Sequence, residues 1–256
     1  MAAALLAAVL GACRNEAAPA ETHKPTVHVL TSLPLLFDAE FGLGPATGEA
    51  ATFLRDHYTL QPIDLPSQLP KGAVLLAAQP RALPAEELMA LDKWVRDGGK
   101  LLLLADPLLE WPSKRPLGDR LRPPISFADT GLLGNWGLRL DAPDERGLQR
   151  FPSEMANVDT LSPGRLVKVG GECSDDADGV SATCRLGRGE VLIIADADWL
   201  NVEAVRSAGG DPDENLAMLD LQLSRLTTRS ESWPIRRAHK LIHRVVPPKA
   251  GRTKEE

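Results

Sequence analysis

The chain has 256 residues, 43% hydrophobic and 25% charged, globular proportions that allow one sizeable α/β domain or at most two small ones. Its net charge of −6 is uneven, −11 up to Thr228 and +5 from Arg229 onward, and an acidic body argues against nucleic acid as the main partner. Aromatic residues make up only 4%, so Leu, Val, Ile and Ala must fill the core, which suits a parallel sheet covered by helices.

Residues 2–12 carry no charge and are almost wholly Ala, Leu and Val. The stretch is too short to span a bilayer, which needs about 20 apolar residues, but has the length of a signal-peptide core. Gly11 and Ala12 followed by Cys13 resemble the lipobox of bacterial lipoproteins. That resemblance implies loss of residues 1–12, acylation of Cys13 and a periplasmic chain anchored by lipid, without a spanning helix. Arg14 stands where an acidic residue would signal inner-membrane retention, which favours the outer membrane. A departure is the lack of Lys or Arg between Met1 and the apolar run; the competing reading is an Ala-rich N-terminus with an incidental cysteine. Residues 16–25 then read as a flexible tether, placing the α/β domain at 26–228 and a separate tail at 229–256.

Residues 26–30 read as a first strand. Residues 47–58 read as a helix with Ala50, Phe53 and Leu54 as its apolar stripe and Thr47 as its cap. A strand over 59–65 is weakened by Pro62 and belongs at a sheet edge. The run 73–77 is a short buried strand. The clearest helix spans 84–97: Pro84 suits the first turn, Glu86 and Glu87 the positive end, and Leu88, Leu91, Trp94 and Val95 make one face. Gly98 and Gly99 end it, and residues 100–105 form another buried strand. Strand, helix and strand at this spacing make a right-handed βαβ unit with parallel pairing.

Residues 106–126 are a long connection with five prolines, and such a length marks a functional or mobile segment. On it, Leu108, Leu109 and Trp111 are either an apolar contact surface or packed over the sheet. A short helix is expected over 127–135 and a strand over 138–140. Residues 165–188 read as an inserted antiparallel hairpin with Asp178 and Gly179 at the turn. Cys173 and Cys184 flank that turn; a disulfide between them suits an oxidising periplasm, and the alternative is two reduced cysteines that never meet. The last core strand is expected at 190–195. Asp211, Pro212 and Glu214 start a helix whose Leu216, Leu219, Leu223 and Leu226 face the sheet. The basic tail is either a solvated end or, helical over 234–246, a contact for anionic lipid or a protein. His239 and His243 in it lack a third ligand.

Ligands of open parallel sheets bind beyond the carboxyl ends of the strands. Asp106 follows the strand at 100–105, Asp196 and Asp198 follow that at 190–195, Glu110 stands on the adjoining loop and Asn201 just beyond. If the two strands are neighbours, these groups could converge on a cation or on sugar hydroxyls. The alternative puts Asp106 in an Asp-Pro turn and has Asp196 and Asp198 cap the helix that follows. No phosphate-binding Gly-rich loop and no Ser or Cys nucleophile elbow is present in the sequence, so ATP hydrolysis and a Ser- or Cys-based hydrolase find no support, and no cofactor or metal is expected.

Residues 94–107 (WVRDGGKLLLLADP) are similar to the helix, GGK, apolar strand and DP passage of GldG-like proteins, auxiliary components of gliding-motility and uncharacterised ABC transport systems. Residues 187–201 (GRGEVLIIADADWLN) and 215–219 (NLAML) are similar to their closing strand, turn and last helix, and residues 132–140 (LLGNWGLRL) to the link between. The resemblance spans 26–228. It implies a three-layer flavodoxin-like or class I glutamine-amidotransferase-like sandwich without a catalytic nucleophile. GldG-like proteins are usually longer and held by transmembrane helices, which this sequence lacks. The expected function is a lipid-anchored, periplasmic, non-catalytic binding or scaffolding module, auxiliary to an ABC-type transport or envelope system. The alternatives are a divergent hydrolase of carbohydrate or cell-envelope substrate using Asp106, Asp196 and Asp198, and a solute receptor, which would show two lobes.

Overall fold

The computed structural model describes residues 24–38, 44–152, 157–176 and 179–227. Its strands are β1 (Thr26–Thr31), β2 (Thr59–Pro62), β3 (Val74–Ala78), β4 (Lys100–Leu104), β5 (Leu138–Asp141), β6 (Leu148–Pro152), β7 (Asn157–Leu161), β8 (Arg165–Lys168), β9 (Cys173–Asp175), β10 (Ser181–Leu186) and β11 (Gly189–Ile194). Its α-helices are α1 (Glu49–His57), α2 (Ala85–Arg96), α3 (Leu132–Trp136), α4 (Val202–Ser207) and α5 (Asp213–Thr227).

The central sheet has seven strands in the order β2-β1-β3-β4-β11-β10-β9. The first five are parallel, and β10 and β9 add an antiparallel edge. Apolar runs such as LLLL in β4 are buried on both faces because successive side chains point to opposite sides. Leu76, Leu102 and Leu104 join a core with Leu54 of α1 and Leu219, Leu223 and Leu226 of α5. Leu75, Leu101 and Leu103 join the opposite core with Leu91, Trp94 and Val95 of α2 and Trp136 of α3. The result is a three-layer α/β sandwich, and β3, α2 and β4 form the expected βαβ unit. Each fully buried leucine contributes about 1.5–3 kcal/mol, so these two layers dominate the stabilisation. No helix among the described residues is long and apolar enough to cross a membrane.

Several expectations need correction. α1 starts after Gly48, with no side-chain cap, so Thr47 does not cap it. The strand expected over 59–65 stops at Pro62, although it is an edge strand as expected. The helix expected over 127–135 forms only at 132–136, because Asp129 Oδ1 accepts hydrogen bonds from the Gly131 and Leu133 amides and Gly131 turns the chain at φ +104°. The single hairpin over 165–188 is two structures. β8 leaves the central sheet to pair with β5, whereas β9 and β10 extend that sheet. The break is at Gly170 and Gly171, where the chain passes so close to the start of β5 that a Cβ on Gly137 would lie 2.0 Å from the Gly170 carbonyl oxygen. Cys173 and Cys184 are partners in the β9–β10 register and are disulfide-bonded. The β6–β7 hairpin was not expected at all. Leu216 is only partly buried, unlike Leu219, Leu223 and Leu226. Cys13, Arg14, most of the tether, Asp178 and the tail with His239 and His243 lie outside the described residues.

Candidate functional site

β4 and β11 are adjacent, with Leu104 opposite Ile194, so Asp106 and Asp196 emerge side by side from the carboxyl end of the sheet. Asp198 joins them from the 3-10 turn Asp198–Leu200 that follows. All three are at most 1% exposed. Asp106 accepts hydrogen bonds from the Leu108 amide (Oδ1, 2.7 Å) and, across the strand ends, from the Ala197 amide (Oδ2, 3.0 Å). Asp196 Oδ1 accepts from Thr160 Oγ1 (2.6 Å) and the Trp199 amide (3.1 Å). Asp198 Oδ2 accepts from the Glu110 amide (2.7 Å). The second oxygens, Asp196 Oδ2 and Asp198 Oδ1, are buried without a partner.

Burial removes water from these carboxyls and favours the neutral form. It pushes Asp106 up to about 6, against the opposing pull of the amides that donate to it. Burial, with the Asp106 charge beside it, pushes Asp198 up to about 8. Asp196 is raised well above the ordinary carboxylate range by burial and by the charges of Asp106 and Asp198. The acids come together, and Asp106 and Asp196 close local turns, but Asp198 reaches across to the Glu110 amide and the helix that follows, α4, is capped by Asn201 rather than by Asp196 or Asp198. Glu110 is exposed, and its Oε1 accepts from Ser162 Oγ at 2.5 Å. Asn201 stands apart from the acids, capping α4 through the Ala204 amide at 3.2 Å. Among the described residues no group of His, Cys, Asp and Glu is placed to hold a metal ion.

A second feature lies at the point where strand order reverses. From β1 the chain runs outward to β2, then back to β3 on the other side of β1, and such switch points are where open α/β sheets hold ligands. The residue just past β3, Gln79, is fully buried with a left-handed backbone (φ +45°). Its side chain donates to the Asp106 and Pro124 carbonyls (3.0 and 3.2 Å) and accepts from the Asp106 amide (2.9 Å). Both ends of the proline-rich connection are thus pinned to the sheet. Leu109 N–H donates to the Ile125 carbonyl (2.9 Å), closing the neck. Arg81 donates to the Arg122 carbonyl (2.6 Å), and Arg122 donates to the Ser113 and Arg115 carbonyls. Backbone strain of this kind persists only where surrounding contacts over-determine it.

Under this loop is a cleft of about 360 Å³. Its floor is Thr31 and Ser32 at the end of β1; its walls include Phe37, Ile63, Arg81, Trp111, Arg115 and Arg120. Leu109 is buried in the core and Trp111 packs against it while also facing the cleft. Asp106, Asp196 and Asp198 do not line this cleft. Sequence reasoning singled out the loop and Trp111 but missed Ser32, Gln79, Arg81 and Arg120. A glutamine directly after a buried strand and before Pro80 was the available signal.

The matched solved structures resemble the chain in fold only. An exo-beta-1,4-mannosidase from Opitutaceae bacterium strain TAV5 is 16% identical, with a TM-score of 0.48, over 81% of this chain and 36% of that one. A GH42 beta-galactosidase from G. stearothermophilus is 13% identical, with a TM-score of 0.45, over 80% of this chain and 30% of that one. A cytoplasmic protein from Salmonella typhimurium LT2 is 9% identical, with a TM-score of 0.47, over 79% of this chain and 99% of that one. The aligned regions cover only about a third of the two glycosidases. No curated protein matches the chain. Residues 24–163, more than half of the chain, match the family described as ABC-type uncharacterized transport system, and the chain belongs to that family.

Proposed function

We propose that this protein is a lipid-anchored, periplasmic, non-catalytic binding module that serves an ABC-type transport system. The observation that carries the non-catalytic part is the state of the two hydroxyls on the cleft floor; the third lining hydroxyl, Ser113, accepts from the Arg115 amide at 3.3 Å. Ser32 Oγ donates to the Gln79 carbonyl (2.5 Å) and Thr31 Oγ1 to the Ala78 carbonyl (2.8 Å). A nucleophilic hydroxyl must give its proton to a base, and these give theirs to backbone oxygens. The carboxylates foreseen for a hydrolase, Asp106, Asp196 and Asp198, are buried and do not line this cleft. Family membership supports the auxiliary role.

The anchoring part rests on the lipobox resemblance at Cys13 and on topology. β1 begins at Thr26, and the cleft is at the opposite, carboxyl end of the parallel strands. A chain tethered from its N-terminus would then present the cleft away from the membrane. Two measurements test the reading in the native host. Palmitate should label the wild-type chain and not Cys13→Ala, and cross-linking should join the wild type to membrane subunits of an ABC-type transporter. An unlabelled, cytosolic wild type overturns the anchor; labelling without any transporter cross-link overturns the partner.

A further inference from the structure

We infer that the switch-point cleft binds an organic anion, a carboxylate or phosphate carried on an apolar body, with Arg81 and Arg120 receiving the charge. The inference rests on the binding-module reading and names its ligand class.

A second cavity of about 430 Å³ shares Arg81, Arg120 and Pro123 with the cleft. Arg81 and Arg120 line both cavities, so two guanidinium groups stand where they meet. Arg120 is exposed and has no ion-pair partner among the described residues. Among the described residues Arg81 makes only the hydrogen bond to the Arg122 carbonyl and keeps other donors. Arg115 faces the same cleft but is paired with Asp119 at 3.5 Å. The described lining also carries two carboxylates, Asp38 and Asp64, equal in number to Arg81 and Arg120, so the preference for an anion rests on where these two guanidinium groups stand and on the charge of the loop. The loop itself, from Trp111 to Pro123, holds Lys114, Arg115, Arg120 and Arg122 against Asp119 alone, within a body of net charge −11. A cationic spot on an acidic molecule is a local feature that long-range charge does not explain, and it selects for anions.

The apolar part has its own evidence. Phe37 (55% exposed), Leu117 (78%), Leu121 (63%) and Ile125 (57%) are half of the large hydrophobic side chains left exposed among the described residues. All four line these two cavities. Exposed hydrophobic groups clustered at one cleft mark a ligand site, whereas scattered ones do not. Cavities of 360 and 430 Å³ suit a body of one or two rings or a short acyl chain.

Calorimetric titration of the full chain at low ionic strength separates charge from shape. The probes are 2-naphthylacetate, its neutral isostere 2-naphthylacetamide, and acetate. The acid is expected to bind about tenfold more tightly than the amide, since bonds to an ionised acceptor are about twice as strong as neutral ones. Acetate should show no binding at millimolar concentration. Arg120→Ala should abolish the preference for the acid while leaving amide binding unchanged, Arg120→Lys should keep most of the preference, and Phe37→Ser should weaken acid and amide alike. Equal binding of acid and amide, or a preference that survives Arg120→Ala, overturns the anionic class but leaves a binding cleft. Failure of both aromatic probes to bind overturns this ligand class outright, while the anchored auxiliary role is decided separately by palmitate labelling and transporter cross-linking.

Discussion

A carboxyl oxygen buried without a donor is comfortable only when its group carries a proton. Asp196 Oδ2 and Asp198 Oδ1 are such oxygens, and no basic side chain contributes to holding either acid charged. Unfolded, these acids ionise near 3.8; folded, Asp106 holds its proton to about 6 and Asp198 to about 8. Between those values the native state binds more protons, so stability is complete below about pH 4 and declines as pH rises toward 8. Each unit of upward shift corresponds to about 1.4 kcal/mol. Asp159 works in the opposite sense, lowered by its ion pair with Arg150, but its contribution is lost only as pH falls below about 4. Urea unfolding at pH 5 and pH 8.5 should therefore show the wild type weaker at the higher pH by at least about 3 kcal/mol. Asp198→Asn keeps the acceptor for the Glu110 amide and cannot ionise, so it should remove much of that decline. A wild type equally stable at both pH values would refute the protonated cluster. The placement of these acids after two core strands was legible in the sequence, because a polar residue closing an apolar run marks a strand end. Their individual partners were not. Thr160 is on β7, which lacks a clean apolar alternation, and the Glu110 amide reaches Asp198 through loop geometry.

Elements with one strong periodicity were read nearly to the residue. α2 was expected at 84–97 and forms at 85–96, and β3, β4 and β11 are each within one residue of expectation. Their apolar runs are long enough to exclude other placements. What failed was short and half-polar: β6 and β7 contain Gln149, Arg150, Asp159 and Thr160, and β8 was assigned to the wrong partner. The strand ends also depend on close approaches that only glycine allows. A Cβ on Gly189 would meet the Val95 carbonyl oxygen at 2.0 Å and the Gly99 carbonyl oxygen at 2.6 Å, where the end of α2 turns against the start of β11. Both obstacles are backbone, so neither can swing aside. Gly189→Ala should cost about 2–4 kcal/mol in urea unfolding, as overpacking and backbone displacement do. Gly134, inside α3, has nothing within 4 Å of its would-be Cβ. Gly134→Ala should be neutral or stabilising by up to about 1 kcal/mol. If the two substitutions had equal effects, the tight contact between α2 and β11 would be wrong.

At the scale of the whole molecule, the α/β class followed from composition and from one βαβ unit, whereas the strand order did not. Nothing in the residues of β1 states that β2 lies on one side and β3 on the other, and that reversal is what creates the cleft. The antiparallel edge raises the same issue. As an inserted hairpin, residues 165–188 would hang on the domain; as β9 and β10, they complete its sheet. Cys173, Cys184 and Leu186 belong to the same core as Trp94, Leu101 and Trp136, so the edge and the centre should unfold together. The bridge between Cys173 and Cys184 closes a loop of 11 residues' separation, and chain-entropy arguments put its stabilisation at about 3 kcal/mol. For a domain of this size that corresponds to a fall of about 6–12 °C in Tm when the bridge is removed. Calorimetry of the Cys173→Ser/Cys184→Ser chain should show one transition, displaced downward as a whole. An early minor transition with the main one unmoved would mean that the edge is an independent appendage, and that the seven strands do not share one cooperative core.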